Sequence, residues 1–278
     1  MIEGLATVAG LLREAATRGV DRLDAQLLLL RALGRDPQDR AWLIAHDGDP
    51  VAAPAHAAFE ALCARRSRGE PAAYLLGRKE FFGLPLQVDA RVLVPRPDTE
   101  TLVEWSLEVL SGWAAPRVID LGTGSGAIAL AIKHRRPDAW VQAVDRSAEA
   151  VEVASGNAAR LGLEVRVAQA DWLEGAGSDW QLVVSNPPYV EDEDPHLAAL
   201  AHEPLQALVS GPDGLRDIRG IVAAAPEHLA RGGWLLLEHG WNQAEAVREL
   251  LRARGFTQVT SRRDLAGIER CSGGQWNA

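Results

Sequence analysis

A chain of 278 residues, 47% hydrophobic and 24% charged, holds enough apolar material for a sizeable core, which excludes a disordered protein. Its net charge of −9 argues against a protein built to wrap a nucleic-acid backbone, since that needs clustered Lys and Arg. Only Cys63 and Cys271 are present, far apart and without a histidine at metal spacing, so neither a disulfide scaffold nor a zinc site is indicated and a reducing compartment fits.

The N-terminal stretch carries Glu3 before any basic residue and spaces its apolar positions, so it does not read as a signal peptide. No apolar run reaches the ~18 residues of a membrane span. The expected location is the cytoplasm. From residue 4 to about 76 the pattern is helical: Leu5, Val8, Leu11, Leu12 and Ala15 recur at three- and four-residue spacing, as do Leu23, Leu27, Leu30 and Leu33. Gly34, Gly69 and Gly77 read as helix stops, the Ala-rich run Val51 to Arg66 as a further helix, and Pro71 as the first turn of a short one. A small all-α domain is expected over residues 1–78.

The period then changes. "KEFFGLPLQV" offers two short β-like runs around Gly83 and Pro85, a hairpin-like linker over 79–97. "PRPDTETLVEWSLEVLSG" starts a helix near Pro97 or Asp98 and ends it at Gly112, opening a second domain over 98–278. Beyond Arg117, "RVIDLG", "GAIALAIKHRR", "WVQAVD", "AEAVEVASGNAARLG", "EVRVAQAD", "WQLVVSN", "DIRGIVAAAPEHLARGG" and "WLLLEHG" alternate strand and helix, the βαβ rhythm of an open, mostly parallel sheet. After a helix over about 244–254, "FTQVTSRRD" and "ERCSGGQW" read as two closing strands forming an antiparallel edge.

"VIDLGTGSGA" sets Gly122, Gly124 and Gly126 between a strand and a helix, where missing Cβ atoms let the backbone turn sharply and approach a ligand. The same loop satisfies the glycine pattern of dinucleotide binders. Asp145 ends the next strand, placed to accept both hydroxyls of a ribose, and "AQADW" adds Asp171 as an acceptor for an adenine amino group and Trp172 as a surface for the base. An adenosine-containing ligand is expected, either a dinucleotide or S-adenosylmethionine.

The fourth strand ends in "NPPY". Asn186 offers one acceptor and two donors, Pro187 and Pro188 hold the turn rigid and donate nothing, and Tyr189 adds a flat ring with a polar tip. Two acceptors, the Asn186 oxygen and the Pro187 carbonyl, suit the two hydrogens of a planar –NH₂ group. Such a nitrogen is a poor nucleophile that gains electron density when its N–H bonds are pulled, and its natural electrophile here is the sulfonium methyl of S-adenosylmethionine.

On these motifs the chain resembles the class I S-adenosylmethionine-dependent methyltransferases, and within them the peptide chain release factor glutamine methyltransferases, the PrmC/HemK family. The matching text includes "RRSRGEPAAYLLGRKEFFGL", "VLVPRPDTETLVE", "VIDLGTGSGAIALA", "SNPPYVEDEDPHL", "EPLQALVSGPDGL" and "LLLEHGWNQAEAVRELL", and covers nearly the whole chain. The resemblance implies a Rossmann-like, mostly parallel seven-stranded sheet behind a small all-α domain, and methylation of the side-chain amide nitrogen of glutamine in the Gly-Gly-Gln motif of translation release factors. It places Gly122, Thr123, Gly124, Ser125, Gly126, Asp145, Trp172 and Asn186 on S-adenosylmethionine, and Asn186, Pro187, Pro188 and Tyr189 on the glutamine. The helical domain is expected to help bind the release factor. "AALAH" before Glu203 and Pro204 is shorter than the family pattern and lacks its basic-aromatic pair.

Methyl transfer needs no metal, so the acidic run "EDEDPH", Glu191 to His196, reads as a solvated loop, and Glu238 and His239 in "EHGW" read as a structural turn. Three other activities share parts of the pattern: a glutamine methylase acting on a ribosomal protein, an adenine-amino nucleic-acid methylase, and a nicotinamide-dependent dehydrogenase. The acidic charge and the lack of an inserted base-recognition domain weigh against the second.

Overall fold

The structure, a computed structural model, describes residues 6–278. The chain divides into two compact units, Met1–Arg78 and Lys79–Ala278.

The first unit is built from α1 (Val8–Thr17), α2 (Arg22–Ala32), α3 (Arg40–Ala45), α4 (Ala53–Arg66) and α5 (Ala72–Leu76). Local chemistry sets the ends. The Thr7 hydroxyl accepts the Gly10 amide at 3.2 Å and the Asp21 carboxylate accepts the Leu23 amide at 2.8 Å, each satisfying an orphan N–H of a first turn. Gly77 stops α5 at φ +71°, where a side chain is disfavoured. Leu11, Leu28, Leu29, Leu30, Phe59 and Cys63 form the core. The expected stripe on α2 is only partly the buried one: Leu23 is exposed, while Ala25, Leu28 and Leu29 face inward. A run of four leucines carries no phase, so packing chose the face. Leu5 lies outside the described residues.

In the second unit a two-stranded hairpin, β1 (Arg78–Phe81) and β2 (Leu84–Gln87), turns at Phe82 and Gly83, both with positive φ, the geometry that matches the twist of a two-residue loop. A short 3₁₀ turn over Pro97–Thr99 leads into α6 (Glu100–Val109). There follow β3 (Arg117–Leu121), α7 (Ala127–Arg135), β4 (Trp140–Asp145), α8 (Ala148–Leu161), β5 (Val165–Gln169), β6 (Trp180–Ser185), α9 (Arg216–Ala224), β7 (Leu229–Glu238), α10 (Ala244–Arg254), β8 (Thr257–Arg263) and β9 (Glu269–Gln275). Seven strands pair in the order β5-β4-β3-β6-β7-β9-β8.

The strands bury both faces, as a parallel sheet requires. Val118, Leu182, Val184 and Leu236 pack with α6 and α7 on one side, while Ile119, Leu121, Val183, Leu235 and Leu237 pack with α9 and α10 on the other. One expectation changes. Helix α9 ends at Ala224, because Pro226 breaks the pattern, and "LARGG" belongs to β7. The two closing strands form the antiparallel edge expected of them, in crossed order: β9 pairs antiparallel with β7 and with β8, and β8 is the outermost strand.

The strand order reverses between β3 and β6. The chain steps outward from β3 to β4 and β5, then returns to lay β6 against the other side of β3. Diverging connections open a crevice at the carboxyl ends of such a pair. The glycine loop leaves β3 there, and Asn186 follows β6 there.

Candidate active site

At this crevice an open cleft is lined by Gly122, Gly124, Asp145, Asp171, Trp172, Asn186 and Pro188, together with segment 91–93 and with Pro204, Gln206 and Ala207. Strand pairing aligns the floor: Leu121 sits beside Val144 and Ser185, and the Ser185 hydroxyl donates to the Leu121 carbonyl at 2.7 Å.

The glycine loop has positive φ at Gly122, Gly124 and Gly126, but the three glycines serve different ends. A Cβ on Gly124 would meet nothing within 4 Å, so the backbone there faces open space. A Cβ on Gly122 would lie 3.3 Å from the Trp172 ring, so the missing side chain lets the indole cover the loop. Trp172 itself holds φ +47°, a strained value for an aromatic residue of the kind that clusters at ligand sites. At Gly126 a Cβ would come 2.9 Å from Leu130, and this glycine serves close packing at the start of α7.

Thr123, Ser125 and Gly126 do not line the cleft. Thr123 and Ser125 are buried beneath it. The Thr123 hydroxyl donates to Asp120 Oδ2 at 2.6 Å, and the Ala129 amide donates to the same oxygen at 3.2 Å. The Ser125 carbonyl accepts from Asn157 Nδ2 at 2.7 Å, and Asn157 also pairs with both backbone groups of Gln87, tying the loop to the hairpin. Burial pushes the Asp120 carboxyl up to about 7, and its Oδ1 has no partner among the described residues.

Asp145 ends β4 and accepts the Gly124 amide on Oδ2 and the Ser147 amide on Oδ1, both at 2.9 Å. Each oxygen keeps a further lone pair. Arg146 donates to the Gln206 carbonyl at 3.2 Å, and Glu203, almost fully buried, accepts from the Val94 amide at 3.0 Å and from the Arg96 guanidinium. Segment 91–93 and the stretch carrying Pro204, Gln206 and Ala207 are therefore both anchored to charged side chains that the sequence pattern does not single out.

The turn after β6 serves two clefts. Asn186 and Pro188 line the first, Pro187 is buried, and Tyr189 lines a second, larger cleft with Glu191 to His196, Trp241, Gln243 and Arg270. Asn186 Nδ2 donates to the Thr99 hydroxyl at 3.3 Å, leaving its Oδ1 as the end available to a ligand. Tyr189 is held from behind: Gln243 Nε2 donates to its carbonyl at 3.0 Å, and a Cβ on Gly214 would fall 2.1 Å from that same oxygen. Its phenol donates toward Glu238 Oε1 at 3.5 Å, and burial raises its pKa.

Glu238 and His239 divide. Both ring nitrogens of His239 are engaged, by the Gly240 carbonyl at 2.9 Å and the Ser272 hydroxyl at 2.8 Å, and burial lowers its pKa, a structural residue. Glu238 is also buried, its carboxyl pushed up to about 7 by desolvation, and its Oε2 has no partner among the described residues. Thr99 and Glu238 are the functional candidates that residue-type reasoning passed over. Away from this crevice, Glu14, His56 and Glu60 bring ligand-type atoms within 4.8 Å of one another, but the Arg18 guanidinium donates to both carboxylates and already supplies a cation.

A glycine loop and strand-end acid beside an Asn-Pro-Pro-Tyr turn, on a seven-stranded sheet with one inserted antiparallel strand, define a class I methyltransferase fold. Residues 99–211 match the Methyltransferase small domain and residues 4–77 the PrmC N-terminal domain. The chain is 54% identical over 264 residues to the release factor glutamine methyltransferase of Bordetella pertussis, covering 93% of this chain and 96% of that protein. With the release factor glutamine methyltransferase of Burkholderia pseudomallei it is 50% identical over 280 residues, covering 97% and 96%. A methyltransferase from Pyrococcus furiosus shares the fold, with a TM-score of 0.53 at 18% identity over 71% of this chain and 91% of that one. The chain belongs to the release factor glutamine methyltransferase family.

Proposed function

We propose that this protein transfers a methyl group from S-adenosylmethionine to the side-chain amide nitrogen, N5, of the glutamine in the Gly-Gly-Gln motif of peptide chain release factors. The observation that carries the reading is the Asn186 to Tyr189 turn, which presents one face to the glycine-loop cleft and another to the larger cleft beside it. A cofactor and a protein loop can then approach the same strand end from different sides.

The residues fit the cofactor. Gly124 offers open backbone, Asp145 keeps a lone pair on each oxygen for the ribose hydroxyls, Asp171 is an acceptor for the adenine amino group, and Trp172 is a flat apolar wall. When bound, S-adenosylmethionine supplies an electrophilic sulfonium methyl. Thr123, Ser125 and Gly126 support the loop from below.

On the acceptor side, Asn186 Oδ1 and the Pro187 carbonyl take the two hydrogens of the glutamine –NH₂, while Pro188 and Tyr189 shape its surroundings. An amide nitrogen is weakly nucleophilic because its lone pair is delocalised. Two acceptors raise its electron density and fix its direction, so that catalysis is positioning and electrostatics rather than proton removal before attack. No metal has a part in this chemistry.

The helical unit helps bind the release factor, a role supported by its match to a family-specific N-terminal domain and by relatives aligned along nearly the whole chain. That match favours release factors over a ribosomal protein or nucleic acid as substrate. Among the described residues no helix is long and apolar enough to cross a membrane, and the expected place of work is the cytoplasm. The test is incubation with a release factor and methyl-labelled S-adenosylmethionine, followed by peptide mass spectrometry. Label on the tripeptide glutamine supports the proposal, and label on any other residue, or on RNA, overturns it.

A further inference from the structure

Glu203 has a side chain only 3% exposed, and both of its carboxylate oxygens are used: Oε2 accepts the Val94 amide at 3.0 Å and Oε1 accepts from the Arg96 guanidinium. These partners lie 109 and 107 positions away in the chain. Residues 91–96 and 201–204 belong to no helix or strand, and among the described residues no β-ladder joins the two stretches. A carboxylate is costly to bury and is kept where it is paired. Leu93, next to Val94, and Pro204, next to Glu203, both line the first cleft. The buried link therefore sits one residue behind the lining on each side.

We propose that Glu203 is a positioning residue for S-adenosylmethionine: by tying Val94 and Arg96 to the chain that enters Pro204, it fixes two parts of the cleft lining relative to each other, and the affinity and residence time of the cofactor depend on that tie. This deepens the reading of the first cleft as the cofactor site and rests on it.

Other links to the same lining are exposed. Arg91 pairs with Asp89 and, at 3.2 Å, with Glu152 of α8, and Arg146 donates to the Gln206 carbonyl at 3.2 Å. Screening and side-chain entropy leave such links little net strength. The Glu203 link is sheltered, and both of its hydrogen bonds are charge-assisted. It is also stiff. Pro204 holds φ at −63°, fixed by its ring, and the residue before a proline is itself restricted, so the position of Glu203 is passed to Pro204, Gln206 and Ala207 with little slack. The far end of this stretch is held independently, since the Leu208 carbonyl accepts the Tyr189 and Val190 amides. Without Glu203 the lining is supported at one end only.

A ligand that enters a cleft with its lining already fixed pays less to order it. Cutting the link moves that cost into the binding step, and it shows chiefly as faster release. The Asn186 to Tyr189 turn keeps its own supports from Thr99 and Gln243, so the rate with both substrates saturating is expected to change little.

The experiment measures calorimetric affinity for S-adenosylmethionine, release of labelled cofactor chased with unlabelled, kcat with a release factor at saturating cofactor, and thermal melts. It compares the intact parent with Glu203→Ala, Glu203→Gln, Arg96→Gln, the double variant Glu203→Gln with Arg96→Gln, and Asp145→Ala. Glu203→Ala should bind the cofactor at least about tenfold more weakly, the scale of one charge-assisted hydrogen bond. Release should speed up to match, and kcat should stay within about twofold of the parent, the pattern of lost uniform binding. Glu203→Gln keeps an acceptor for the Val94 amide and should recover part of the affinity. A merely structural role would lower the melting temperature while folded protein bound the cofactor normally, so parental affinity in folded Glu203→Ala overturns the proposal. If that variant does not fold, the ion pair decides: Glu203→Gln and Arg96→Gln should each bind at least about threefold more weakly, and the double variant no worse than the weaker single one, because both cut the same link. Parental affinity in both, or losses that multiply in the double variant, overturns the proposal equally. Asp145→Ala separates the two levels: parental affinity there rejects the first cleft as the cofactor site, whereas weak binding in Asp145→Ala beside parental binding in Glu203→Ala rejects only the positioning role.

Discussion

Asp145 Oδ2 accepts the backbone N–H of Gly124 at 2.9 Å, so the acid at the end of β4 braces the glycine loop at the end of β3. The second oxygen does the same for the turn into α8 through Ser147. A residue read from sequence as a ribose acceptor is also part of the scaffold that shapes the cleft.

Asp145→Ala is therefore expected to weaken S-adenosylmethionine binding by more than the loss of two ribose hydrogen bonds, because the loop amides lose their brace as well. Asp145→Asn keeps the shape but replaces one acceptor with a donor, which faces the Gly124 or Ser147 amide whichever way the side chain turns. Titration calorimetry should rank affinity as parent, then the two variants at least about tenfold weaker, on the scale of one charge-assisted hydrogen bond. Parental affinity in both would remove Asp145 from the site.

Gly214 is required by the proposed acceptor turn rather than by its own loop. It holds φ +67°, and a methyl group there would collide with the Tyr189 carbonyl oxygen at 2.1 Å and with Gln243 Nε2 at 2.6 Å. Gly214→Ala should push the Asn-Pro-Pro-Tyr turn out of place. The expected result is a kcat loss of about 10²-fold from a displacement on the order of 1 Å, with cofactor affinity close to that of the parent. Gln243→Leu, which removes the bond to the same carbonyl, should move kcat in the same direction by less. A kcat equal to the parent in Gly214→Ala would show that the turn tolerates the shift.

Much of this was legible in the sequence because the carriers are local. Strand period, glycine punctuation and the Asn-Pro-Pro-Tyr motif depend on neighbours in the chain, and they gave the alternation of β3 to β7 and the crevice at their ends. What escaped depends on contacts across the fold. Thr99 is an ordinary residue in "RPDTE" until the fold sets it beside Asn186, 87 positions on. Asn157, in the middle of α8, shows nothing of its bonds to Ser125 and Gln87. The insertion of β9 between β7 and β8 is a pairing choice that no local pattern records, and the Leu27 to Leu30 run left the buried face of α2 to be settled by packing.

Asp120 makes the fold less stable at neutral pH than in mild acid. Burial raises its carboxyl from an ordinary 3.8 to about 7 in the folded chain. Between those values the folded state binds the proton that the unfolded state releases, so stability falls as pH rises from about 4 to about 7, and the penalty is complete above that. Glu238 adds to the same trend. Asp120→Asn removes this contribution, and its oxygen still accepts from Thr123 and Ala129. Thermal melts should show the variant more stable than the parent at pH 8 by at least about 3 °C, on the scale of 1 kcal/mol for a domain of this size, with a smaller gain at pH 5. A variant that melts below the parent at pH 8 would mean that Asp120 is needed as an anion.

Asn186→Ala tests the reading from the other side. The truncation removes the proposed acceptor for the substrate –NH₂ and leaves Thr99 without its amide partner, yet it leaves the glycine loop, Asp145 and Trp172 untouched. The rate should fall by about 10²–10³, the loss seen when one oriented catalytic contact is deleted, while cofactor affinity weakens only modestly. Asp145→Ala should show the opposite division, with affinity lost first. Measuring kcat at saturating cofactor alongside calorimetric affinity for both variants separates the two roles. If Asn186→Ala lost affinity in proportion to rate, the side chain would be serving the cofactor rather than the acceptor, and the turn would have to be read as a wall of the first cleft alone.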